Sequence, residues 1–99
     1  MLVSRETSSR VAALFPISQR DAAEQLLSTN CGAKLPGLEA LSATQLERVQ
    51  FAALKLSTGN YVELERAVKL AQTDWRDLLF QAGFGEDLEA HKHWVPFST

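Results

Sequence analysis

Three carboxylates and two histidines crowd into eight residues, Glu86-Asp87-Leu88-Glu89-Ala90-His91-Lys92-His93, and metal chemistry would have to start there. On a helix, Asp87 stands beside His91 and Glu89 beside His93, each pair four residues apart. Imidazole nitrogens with carboxylate oxygens suit a divalent ion. The two pairs occupy different faces, however, Lys92 adds a repelling charge, and no closed ligand set results. The expectation is a solvated helix end, with its imidazoles near the negative pole of the helix dipole and no metal or other cofactor.

Covalent catalysis would need Cys31 with His91 or His93. Nothing in the spacing brings them together, and Cys31 falls where a helix is expected to end. A cysteine in such a place is more often a small buried hydrophobe. The five glycines are scattered as helix stops rather than gathered into a phosphate-binding loop. No catalytic, cofactor-binding or metal residue is therefore assigned, and the chain is expected not to be an enzyme.

Recognition is the remaining class. Trp75 lies in phase with Leu78 and Leu79, which predicts core packing. Trp94 belongs to the apolar tail His93-Trp94-Val95-Pro96-Phe97, expected to fold back over the core; left open, it would form an aromatic patch. Arg76 and Asp77 follow Trp75 and are expected in solvent, with a surface ion pair as the plainer role of Arg76. Phe51 and Phe80 lie off the principal apolar stripes. The candidate interaction surface is thus Phe51, Arg76, Phe80, Trp94 and Phe97, arginine and aromatics being enriched at interface hot spots. Its partner would be another protein or a second copy in a two-fold homodimer.

Duplex DNA is the rival ligand. Residues 65–83, broken at Thr73, give two helices of about the length of a helix-turn-helix. Asp74 and Asp77 would then stand at the start of the reading helix, where phosphates need donors. The net charge of −2, with both signs interspersed, lacks the basic field of a nucleic-acid binder. Nucleic acid is disfavoured.

Ninety-nine residues make one ordinary domain, and 45% apolar with 22% charged residues is globular composition. One cysteine allows no internal disulfide, which favours a reducing compartment. The start of the chain, Met1-Leu2-Val3-Ser4-Arg5-Glu6, lacks the apolar run of a signal peptide, and the longest such run, 11–15, is too short for a bilayer. A cytoplasmic protein without a membrane anchor is expected.

The elements that must position these residues all read as helices. A first helix, from about Thr7 to Leu14, must stop before Pro16. Ser18-Gln19-Arg20-Asp21 resembles a capping box opening a second, which ends near Asn30-Cys31-Gly32. Residues 33–41 read as a loop, and Ser42-Ala43-Thr44-Gln45 opens a third helix. There Leu46, Val49, Ala53 and Leu56 share a stripe, while Phe51 and Leu54 make a second apolar side, which predicts a central position. Gly59 suits a left-handed turn and Asn60 caps the next helix, whose Leu64, Ala67, Val68 and Ala71 face the third. Trp75, Leu78, Leu79 and Ala82 continue that stripe in phase, as one unbroken helix over 61–82 would. Thr73-Asp74 nevertheless looks like a fresh N-cap and favours a break at Thr73, and Gly83-Phe84-Gly85 ends the segment. A short last helix is expected between 86 and 93.

The stretch Thr73-Asp74-Trp75-Arg76-Asp77-Leu78-Leu79-Phe80-Gln81-Ala82-Gly83-Phe84 resembles the Trp-Arg-Asp-Leu-Leu-x-x-Ala-Gly segment of small bacterial proteins of uncharacterised function, and residues 46–56 are similar to the same group. The resemblance covers about half of the chain and implies a bacterial source, but it brings no activity, ligand or catalytic residue with it.

The expected fold is all-α: a compact bundle of four to six short helices around a central antiparallel helical hairpin formed by 46–56 and 61–71. One domain spans 1–99, with 1–6 and 95–99 as flexible or loosely packed ends. Its core should include Leu14, Leu26, Leu27, Leu46, Val49, Ala53, Leu56, Leu64, Val68, Trp75, Leu78 and Leu79. The expected function is that of a non-catalytic protein–protein interaction or regulatory module.

Overall fold

Caps and breakers divide the chain into its helices. A computed structural model describes residues 3–31, 43–85, 91 and 94. Four helices run through them: α1 (Arg5–Leu14), α2 (Ile17–Asn30), α3 (Ala43–Ser57) and α4 (Tyr61–Gln81). Among the described residues there is no strand, and no helix is long and apolar enough to cross a membrane. The helices form one compact all-α body in which α3 and α4 pack most closely, as the expected central hairpin.

α1 begins two residues earlier than expected because Ser4 caps it, its side chain accepting from the Thr7 N–H. It stops before Pro16, as the missing amide donor requires. α2 opens directly after Pro16, which stands at its N-cap without a side-chain hydrogen bond. Ser18 therefore lies inside the first turn and the expected capping box does not form; a proline already set for helical φ displaces it. The corresponding box at Ser42 lies outside the described residues, as does the loop at 33–41.

The α3–α4 turn uses two left-handed residues, Thr58 at φ 50° and Gly59 at φ 83°. A Cβ on Gly59 would sit 2.7 Å from the Leu14 carbonyl oxygen, so the turn is pressed against the end of α1 and only glycine fits. Asn60 then caps α4, accepting from the Glu63 N–H at 3.1 Å.

α4 is two helical segments. Asp74 leaves helical geometry (φ −157°, ψ 89°), and its carboxylate accepts from the N–H groups of Arg76 and Asp77 at 3.2 and 3.3 Å. The expected break is real, with Asp74 as the cap. The second segment closes on Gly83 (φ 81°): Phe84 N–H donates to the Leu79 carbonyl and Gly83 N–H to that of Phe80, a paired C-terminal motif. Lys55 of α3 donates to the Ala82 carbonyl at 2.8 Å, a cation at the negative end of the helix.

Every residue from Arg48 to Leu54 is buried, so α3 is central and both of its apolar sides are used. Leu27, Val49, Ala53, Leu64, Val68, Leu78 and Leu79 are core, as expected. Leu14, Leu26, Leu56 and Trp75 are half-buried and pack against it. Leu46 is half-buried near the start of α3, outside that cluster. Val11, Phe15, Phe51, Leu54 and Phe84 complete the core, from α1, the second side of α3 and the turn after α4.

Candidate functional site

Polar side chains from α1, α3 and the C-terminal segment form one connected chain in this core, while the buried Arg48 and Ser57 donate separately to the Phe84 and Leu54 carbonyls. Ser4 donates to one Glu47 oxygen at 2.8 Å, and His91 Nε2 lies 3.3 Å from the other. Thr7 lies 3.0 Å from Ser4 and donates to Gln50 at 3.1 Å; Gln50 in turn donates to the Cys31 carbonyl at 3.3 Å. α1, α3, the end of α2 and the C-terminal segment are thereby tied together. Buried polar groups stabilise a fold when they are satisfied in this way, and each is costly alone.

The order of groups decides the chemistry. The carboxylate stands between the hydroxyl and the imidazole, so the Ser4 proton points at Glu47 and the imidazole of His91 does not reach the hydroxyl. The serine–imidazole contact of a Ser-His-Asp triad is therefore not formed. Cys31 is held as the thiol: burial pushes it from 9.0 up to about 12, so it is protonated at neutral pH. The network holds the molecule together.

His91 corrects the expectation of a solvated helix end. It is fully buried, with its ring edge-on to Phe51 (centroids 5.1 Å apart) and to Phe84 (6.3 Å). The expected partners Asp87, Glu89 and His93 lie outside the described residues. Among the described residues, no three His, Cys, Asp or Glu side chains come together as a ligand set.

The five candidate contact residues separate. Phe51 is 1% exposed and belongs to the core rather than to an interface. The Arg10 guanidinium lies 4.2 Å from its ring centroid, and His91 and Trp94 meet its other edges. Trp94 is half-buried, and its carbonyl accepts from Arg10 Nε at 3.2 Å, so this part of the tail does fold back. Phe97 lies outside the described residues. Arg76 is exposed, its guanidinium 5.3 Å from the Trp75 ring, and Phe80 is 76% exposed on the same short segment of α4.

Two further exposed apolar residues carried no sequence signal. Ile17 opens α2, and Val62 stands one residue into α4 at 56% exposure. Val62 borders a groove of about 370 Å³ between α2 and α4, lined also by Leu26, Val68, Arg66 and Lys69. Helical periodicity shows that Val62 is off the buried stripe, but it does not show what a neighbouring helix leaves open.

Comparison of the chain with protein-family models, with curated proteins and with solved structures found no match.

Proposed function

We propose that this chain is a non-catalytic protein–protein interaction or regulatory module of a bacterial cytoplasm, and that the outer face of α4 around Arg76 and Phe80 is its contact surface. One observation carries the reading: Phe80 is three-quarters exposed on a segment fixed at both ends, by the Asp74 cap and the Gly83 closure. A large apolar ring on a fixed backbone loses only side-chain freedom on binding, and aromatic and arginine side chains dominate binding hot spots. The buried, protonated Cys31 supports a role without thiol catalysis. A second copy of the chain is the other candidate occupant.

The test compares the wild-type protein with Phe80→Asp and Arg76→Glu in affinity capture from cells of the source organism, with light scattering of the isolated protein alongside. The expected result is a specific protein held by wild type and reduced at least tenfold by Phe80→Asp, with helicity unchanged. Equal capture by both would overturn the assignment of this face. Binding only to duplex DNA, falling steeply with salt, would favour the helix-turn-helix reading of 65–83 instead.

A further inference from the structure

The outer edge of α4 carries Val62, Arg66, Lys69, Thr73, Arg76 and Phe80 at intervals of four, three, four, three and four residues. That is the interval at which helical residues form a seam for another helix. All six are exposed, so the break at Asp74 does not remove the last two from the solvent side. The ends of the seam are apolar, and between them stand three cations and no acid. Over its first half, Val62, Arg66 and Lys69 are also one wall of the α2–α4 groove, whose apolar lining includes Leu26 and Val68.

We propose that this edge docks an acidic amphipathic helix of a partner protein. The inference rests on the reading of α4 as a protein-contact surface and extends it from Arg76 and Phe80 along the whole helix. Val62 to Thr73 spans about 17 Å at 1.5 Å per residue, about three turns of a partner helix, with Arg76 and Phe80 on the segment beyond the break at Asp74. Carboxylates in its central turns meet Lys69 and Arg76 and compete with Glu63 for Arg66; an apolar residue at one end enters the groove beside Val62, and one at the other covers Phe80. Exposed ion pairs contribute little each, so the charges set orientation and encounter rate while the apolar ends hold the helix.

Charge chooses this occupant over the others. Two copies apposed along the same edge would place three cations against three, which opposes a homodimer there. A nucleic-acid strand carries a continuous line of negative charge. Here it would run beside Glu65 and Asp77, and Glu63 already holds Arg66 at 3.0 Å. A helix delivers its carboxylates at separate points, one turn apart, and can pass between those acids.

The test places photoreactive benzoylphenylalanine singly at positions 62, 69 and 80 of the full chain, and at Gln19 on α2 as a control. Each variant is irradiated in extract of the source organism, and the joined peptide is sequenced by mass spectrometry. The expected result is one polypeptide joined from 62, 69 and 80 but not from 19, through a segment whose acids recur every three or four residues between apolar ones. Arg66→Glu with Lys69→Glu, in a protein still helical by circular dichroism, should cut the yield from position 80 at least tenfold. Joining from 80 alone, insensitive to those reversals, overturns the α4 edge but leaves the Arg76–Phe80 contact standing. Joining to nucleic acid, to another copy, or to a segment without that acidic spacing overturns the proposed partner. No joining from any position overturns both readings.

Discussion

Phe51 and Phe80 carry the same side chain, each off the principal stripe of its helix, and they meet opposite ends. Phe51 is enclosed by Arg10 of α1 and by His91 and Trp94 of the C-terminal segment, whereas Phe80 is 76% exposed among the described residues. The difference lies in the neighbours. α3 sits between α1 and α4, so both of its apolar sides find a cover; α4 packs on α3 and α2 and turns its remaining side to water. An apolar residue off the stripe is therefore evidence for a second contact, and only the packing decides whether that contact lies within the chain or outside it.

The largest expected effect tests the inner half of this contrast. Phe51→Ala should destabilise the protein by about 3–5 kcal/mol, the range for deleting a buried aromatic ring. Denaturant titration reads it directly, and an unchanged midpoint would put Phe51 at the surface. For the same reason Phe51→Asp should abolish folding rather than give a helical monomer. Gly59→Ala acts where α1 meets the hairpin: the methyl group meets the Leu14 carbonyl, and the backbone is left-handed. A loss of roughly 1–3 kcal/mol is expected, the scale of a strained backbone residue. A neutral outcome would show that the turn can move away from α1.

How far the sequence reveals this contrast can be followed residue by residue. The stops at Pro16, Asn30, Gly59 and Gly83 are legible, because each follows from the local chemistry of a cap or a breaker. The break at Asp74 is only half legible, since the apolar stripe runs through it in phase and no glycine or proline marks it. The Ser18 box fails because Pro16 makes a competing start two residues earlier. The two-sided apolar pattern of α3 reveals its central place, but not that Arg10 and His91 would cover Phe51. Those contacts join residues 41 and 40 apart in sequence, and no periodicity carries them. The same holds for the Ser4–Glu47–His91 link, in which His91, expected in solvent, is drawn inward against Glu47 and, through it, Ser4, 44 and 87 positions away. Arg76 and Phe80 are legible as exposed; the groove beside Val62 is not, since it depends on how closely α2 approaches α4.

A pH experiment sharpens the inner side further. Above pH 9 the unfolded chain releases the Cys31 proton, while the folded protein keeps it until about pH 12. The unfolded state then binds fewer protons, so this contribution is intact below pH 9 and is lost as pH rises toward 12. At pH 10 the loss is about 1.4 kcal/mol, one pKa unit's worth. Cys31→Ala should lack this part of the slope between pH 8 and 10; parallel slopes would mean that the thiol reaches solvent. On the outer side, Asp74→Ala removes the cap of the second segment of α4. A cost of about 1 kcal/mol is expected, read from the melting curve.

The smallest expected effect on stability bears most directly on function. Phe80→Ser removes a ring that is already largely in water, so little buried apolar area is lost. Serine and phenylalanine have similar helix propensities, and the Phe80 carbonyl that accepts from Gly83 belongs to the backbone and stays in place. Unfolding free energy should therefore change by no more than about 0.5 kcal/mol, as for other surface substitutions away from caps and turns. Partner binding should weaken at least tenfold, which corresponds to about 1.4 kcal/mol. A residue kept for stability would show the reverse, with a lowered melting temperature and unchanged binding. If Phe80→Ser costs 2 kcal/mol or more in stability, the ring is packed against its own chain in solution, Phe80 joins Phe51 in the core, and the outer edge of α4 loses the apolar end on which its role as a docking seam depends.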